Sequence, residues 1–142
     1  MQAHPYLNFD GQAEEAFELY KSVFGGDFSA KMKMTGMPGA ENMAVEEQNR
    51  IMHIALPISK DIILMGSDVV PSAGHSLVLG NQTYTMLAAS SRVEADRLFT
   101  GLSSGGVIEM PIADMFWGDY MGSFADRFGI RWMVNFASAT PA

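Results

Sequence analysis

A chain of 142 residues, 48% apolar and only 18% charged, has the material for one ordinary packed domain, which excludes a disordered polymer. Nine Lys and Arg against sixteen Asp and Glu leave a formal charge of −7, a field that repels phosphate backbones and anionic lipid, so neither nucleic acid nor a membrane is expected as a partner. Cysteine is absent, which removes disulfide scaffolds, Cys-ligated zinc, iron–sulfur clusters and thiol catalysis.

Tyr6-Leu7-Asn8-Phe9 is a short strand-like run ended by Asp10-Gly11. The period then changes: Ala13, Ala16, Phe17 and Tyr20 fall at i, i+3, i+4 and i+7, with Glu14, Glu15 and Glu18 opposite, which predicts a helix stopped by Gly25-Gly26. Phe28 to Met34 alternates weakly, Ile51 to Ile58 is a clearer strand, and Asp61 to Met65 reads as a short buried strand closed by Gly66. Between them, Thr35 to Asn49 fits neither period and carries Gly36, Pro38 and Gly39 with Met37 and Met43, so it is either a Met-bearing lid or an insertion without a role.

The longest charge-free stretch, Val69 to Ser91, is interrupted by Pro71, Gly74, His75, Gly80, Asn81 and Gln82, which a membrane-spanning helix would not tolerate. The start, Met1-Gln2-Ala3-His4-Pro5-Tyr6, lacks the basic and apolar runs of a secretory signal, and a cytoplasmic location is the expectation.

The same order then returns. Thr83 to Ala89 reads as a strand, Ser91 as a cap, and Ala95, Leu98, Phe99 and Leu102 as a helix face ended by Gly105-Gly106. Strands over Val107 to Ile112, Tyr120 to Ala125 and Arg131 to Phe136 complete it. A shift of 80 places Gly25-Gly26 on Gly105-Gly106, Leu7 on Leu87 and Glu14 on Glu94. The chain is therefore expected to be α+β, two tandem βαβββ modules (about 1–70 and 82–138) whose curved mixed sheets surround a ligand cleft.

The three histidines, His4, His53 and His75, are too far apart for a local metal motif. The repeat carries His4, at the opening of the first strand, onto Tyr84. His53 alternates with Met52 and Ile54 in the best strand, and it is either a hydrogen-bonded structural residue or a pocket contact. His75 reads as a linker residue. Phe116, Trp117 and Tyr120 offer stacking surfaces for a small, partly apolar ligand, or else serve as core or interface aromatics. Asp126 before Phe128-Gly129 is turn chemistry. The acid pairs Glu14-Glu15 and Glu46-Glu47 read as solvated faces, and no nucleotide fingerprint occurs.

Pro5-Tyr6-Leu7-Asn8-Phe9, the run Ala13 to Tyr20, Phe24-Gly25-Gly26, Met52-His53-Ile54-Ala55-Leu56 and Phe116-Trp117-Gly118 through Gly122, Asp126, Phe128-Gly129 and Trp132 together resemble PhnB-like proteins. These belong to the vicinal oxygen chelate superfamily of glyoxalase I, bleomycin-resistance proteins and ring-cleaving dioxygenases. The resemblance implies paired βαβββ modules and a homodimer. In its metal-dependent members, ligands come from the first and last strand of each module; by position these are His4, Leu64, Tyr84 and Met133, of which only His4 is an ordinary ligand. No metal and no cofactor are therefore expected. The leading expectation is a small organic ligand held by His4, His53, Tyr84, Phe116, Trp117 and Tyr120. The alternatives are a metal-dependent lyase or dioxygenase using His4 and His53 with Glu109 or Asp119, and a protein interaction module.

Overall fold

Two four-stranded mixed sheets form, each from one half of the chain, and the computed structural model describes residues 1–137 of that arrangement. The boundary between the two units falls at Val78 and Leu79, inside the charge-free stretch. The first unit runs β1 (Tyr6–Phe9), α1 (Ala13–Phe24), β2 (Ala30–Lys33), β3 (Ile51–Pro57), β4 (Ile63–Asp68), in the sheet order β1-β4-β3-β2. After a four-residue helix α2 (Val45–Gln48) within the β2–β3 connection, the second unit runs β5 (Thr85–Ala88), α3 (Arg92–Ser103), β6 (Val107–Asp114), β7 (Tyr120–Ala125), β8 (Arg131–Phe136). Its order is β5-β8-β7-β6, and in both units the first strand pairs parallel with the last. The α+β repeat of βαβββ is thus the one the sequence predicts.

Each helix covers one face of its own sheet. Ala13, Ala16, Phe17 and Tyr20 are fully buried with Ile54, Leu56 and Leu64, and the Phe17 ring meets Phe9 and Tyr20 edge-on. In the second unit, Ala95, Leu98, Phe99 and Leu102 pack with Phe124, Trp132 and Val134 in the core, the Phe99 and Phe124 rings lying 5.0 Å apart. Ser91 caps α3 as expected, its hydroxyl accepting the Glu94 N–H at 3.0 Å while Glu94 reaches back to the Ser90 N–H.

Helix α1 has no such local cap. The N–H of its first residue is taken by a remote carboxylate: Asp68 Oδ1 accepts from Ala13 and from Gly11 just before the helix, and Oδ2 accepts from Ile51 of β3. In the second unit Asp126 is also buried and its Oδ1 accepts from Phe128 and Ile130, while Oδ2 accepts from the Trp132 indole. The turn at Gly129, with φ +86°, is the one the sequence predicts.

Several boundaries move. Strand β4 does not close at Gly66 but runs through it to Asp68, because the glycine is there for close packing: a Cβ would stand 2.8 Å from the Leu7 carbonyl oxygen and from the Phe17 ring. β5 is shorter than Thr83 to Ala89, and β6 extends past Ile112 to Asp114. The irregular segment 35–49 holds two 3₁₀ turns, Met34–Gly36 and Ala40–Asn42, and α2. Within it Glu46 is solvated as predicted, but Glu47 is not: it is 6% exposed, and its carboxylate accepts from both the backbone N–H and the hydroxyl of Ser72. A buried acid is tolerated where such donors replace water.

Candidate functional site

The face of the first sheet opposite α1 carries the residues that alternate with its core. Ile54 lies opposite Gly66 in the core-facing layer, so His53 and Ser67 point the other way, and the in-register pairs Met32 with His53 and Tyr6 with Met65 share that outer face. Here Tyr6 and His53 stack, with ring centroids 5.8 Å apart and planes inclined by 27°. The Tyr6 hydroxyl lies 3.3 Å from His53 Nδ1, so that in the tautomer accepting this bond the Nε2–H is left as a donor.

His4 is tied down elsewhere. Its Nδ1 accepts the Ile63 N–H at 3.0 Å and its Nε2 donates to the Gln2 side chain, so the ring fastens the start of β4 to the chain preceding β1. Of the other positions at which metal-bearing relatives place ligands, Leu64 is fully buried, and Tyr84 and Met133 are not ligands for a hard divalent ion. Among the described residues, no three His, Asp or Glu side chains gather as a metal site requires. The residues present do not fit a resident divalent ion at those positions.

In the second unit, the Tyr84 hydroxyl donates to both Glu109 oxygens at 3.0 Å, and Arg131 pairs with the same carboxylate at 2.7 Å. Arg131 also donates to the Gly80 carbonyl, fixing the approach to β5. Tyr120 lies on the side of its sheet that faces α3. Its hydroxyl donates to Asp96, the Arg92 guanidinium sits 3.8 Å from its ring centre, and Arg92 grips Asp114 through two hydrogen bonds. The Asp96 carboxylate beside it pushes the Tyr120 phenol up, and Arg92 pulls the Asp114 carboxyl down. Phe116 and Trp117 form the tip of the β6–β7 turn, edge to face at 4.9 Å, with Phe116 98% exposed. Gly118, at φ +104°, permits that turn. The sequence-predicted residues therefore stand in five settings: a stacked pair, a backbone clamp, two ionic clusters and an exposed turn.

Sequence reasoning missed a sixth setting. An open pocket of about 720 Å³ in the first unit is lined by Asn8 and Ser67 of the sheet, by Met34, Met37 and Met52, and by His75, with Asp68, Val69, Val70, Gly74 and Ser76 completing its wall. His75 is thus more than a linker residue. The available signal was the run Met32-Lys33-Met34-Thr35-Gly36-Met37, whose methionine density the strand and loop readings divided between them.

Comparison with known proteins agrees with this architecture. The protein YjdN of Escherichia coli is 31% identical over 99% of both chains. The crystal structure of protein PA1353 from Pseudomonas aeruginosa shares 34% identity, with a TM-score of 0.84 over 96% of this chain and 98% of that one. A PhnB protein from Bacillus cereus, 20% identical, has the same fold, with a TM-score of 0.77 over 96% of this chain and all of its own. The family profile for the glyoxalase/bleomycin resistance protein/dioxygenase superfamily matches residues 3–134. The chain, with its two βαβββ units and its PhnB-like relatives, belongs to the glyoxalase/bleomycin resistance protein/dioxygenase superfamily.

Proposed function

We propose that the protein binds a small organic compound against the outer face of its first sheet, at the Tyr6–His53 pair, without a divalent ion. The observation that carries this reading is the stack itself: two rings held together on a face that the unit's own helix leaves bare, with Tyr6 48% exposed. A flat aromatic surface with one imidazole donor suits a planar, partly apolar guest, and Met32 and Met65 beside it adapt to its outline. The misfit of His4, Leu64, Tyr84 and Met133 to a divalent ion supports binding over metal-assisted lyase or dioxygenase chemistry.

Tyr84, Phe116 and Trp117 are proposed as ligand contacts of the second unit in its own right. His4 and Tyr120 act in this reading through the backbone and α3 that they hold. The protein works as a homodimer in the cytoplasm, where binding alone protects or sequesters the compound. Among the described residues no helix is long and apolar enough to cross a membrane. The test is to identify by mass spectrometry a compound that co-purifies with the native protein and to measure its affinity for variants. His53→Ala is expected to weaken binding by about tenfold or more, the loss of one well-placed contact. Unchanged affinity in His53→Ala and Tyr6→Ala would overturn the assignment. Tyr84→Phe and Trp117→Ala test the contacts proposed for the second unit.

A further inference from the structure

We infer that the methionine-lined pocket of the first unit is a binding site for a monovalent soft cation, Cu(I), held by the thioethers of Met34, Met37 and Met52 with the imidazole of His75. This uses none of the residues of the organic-ligand reading, and it stands or falls separately.

The geometry begins with a short helix. Met34 opens a 3₁₀ turn, and the Met37 N–H bonds back to the Met34 carbonyl oxygen at 2.9 Å. In a 3₁₀ turn residues i and i+3 lie one above the other, so the spacing Met-x-x-Met places both side chains on one side of the turn. Both do line the same pocket, which Met52 of β3 and His75 of the following connection also line. Three methionines and a histidine from four points of the chain thereby line one space.

The donor chemistry selects the ion. Thioether sulfur is a polarizable, uncharged ligand that competes poorly with water for Zn²⁺, Mg²⁺ or Ca²⁺ but well for Cu(I), and imidazole suits the same ion. With no cysteine in the chain, methionine is the sulfur ligand this protein has. The electrostatics agree: no Lys or Arg lines the pocket, Asp68 does, and the chain carries a formal charge of −7. The Asp68 oxygens already accept three backbone N–H groups, so its charge contributes field rather than a ligand.

The pocket is also built to keep its wall in place. Ser72, three residues before His75, is held by the buried Glu47 carboxylate through its N–H and hydroxyl. Gly74, at φ +86°, turns the chain, and the His75 N–H lies 3.3 Å from the Val70 carbonyl oxygen. His75 thus sits on a fastened loop rather than on a free linker.

The experiment is an anaerobic titration of the full chain with Cu(I) against bicinchoninate as a chromophoric competitor, repeated with Zn²⁺ under a zinc indicator. One equivalent of Cu(I) withdrawn from the competitor, with no matching Zn²⁺ uptake, is expected. Met37→Leu and Met52→Leu, which keep side-chain volume, are expected to weaken Cu(I) by about tenfold each or more, and Met86→Leu in the second unit to leave it unchanged. Because Met34 is buried and its replacement could disturb folding, the wild-type protein supplies an independent readout. Ag(I) added to protein with ¹³C-methyl-labelled methionine should shift the Met34, Met37 and Met52 methyl signals together with the His75 ring. Absence of Cu(I) uptake by the wild-type chain would overturn the site, as would full affinity in the Met37→Leu, Met52→Leu double variant or Ag(I) shifts confined to other methionines.

Discussion

Asp68 at the end of β4 accepts the Ile51 N–H at the start of β3, at 2.8 Å, and the same carboxylate closes the N-terminus of α1 through Gly11 and Ala13. One buried side chain thus joins the helix to two central strands. Asp68→Ala leaves these donors without their partner and is expected to lower stability by about 2–4 kcal/mol, read by urea unfolding. An unchanged midpoint would show that water or a shifted backbone satisfies them.

Gly122 in β7 is a packing glycine. A Cβ there would lie 2.7 Å from the Phe99 ring and 2.8 Å from the Ile112 backbone. Gly122→Ala is expected to cost about 1–3 kcal/mol through overpacking. Gly80→Ala, where nothing stands within 4 Å, is expected to stay within about 0.5 kcal/mol of the parent. Thermal unfolding of the two variants checks the contrast.

The Glu47 carboxyl is held below its ordinary value of 4.5, first by the Ser72 hydroxyl and then by the Ser72 N–H. A depressed folded-state value means that the contribution is fully present above pH 4.5 and is lost as the pH falls through the lowered value. Ser72→Ala is therefore expected to flatten the acid limb of the stability profile below that pH, with the neutral plateau also lowered by the lost bond. Urea unfolding across an acid pH series measures it, and an acid limb identical to the parent's would contradict it.

The fold was legible because its signals are local and repeated: the 3.6-residue period of Ala13 to Tyr20, the Ser91 cap and the Gly-Gly stops each specify an element without long-range help. Gly66 misled because a glycine that ends a strand and one that admits an aromatic ring look alike in sequence. Glu47 misled for a related reason, since its donor, Ser72, lies 25 residues away. The candidate site was legible in part. Alternation showed that His53 leaves the core face, but its partner Tyr6 is 47 residues distant and two strands away in the sheet. Tyr120 reads as a ligand contact by residue type, and only the positions of Asp96 and Arg92 show what engages its hydroxyl and ring.

Tyr6→Phe removes the hydroxyl that fixes the His53 ring but keeps the stack. It is expected to alter affinity for the co-purifying compound less than Tyr6→Ala does, by about a tenfold margin. Calorimetric titration of both variants reads the difference, and equal losses would show that the hydrogen bond, rather than the aromatic surface, carries binding.

Native mass spectrometry of the protein and of His53→Ala, each purified without chelator, tests the central claim most directly. An organic adduct is expected on the parent and depleted in the variant, with no stoichiometric divalent ion on either. A parent that carries zinc, iron, manganese or nickel in stoichiometric amount, or an adduct retained in full by the variant, would contradict it.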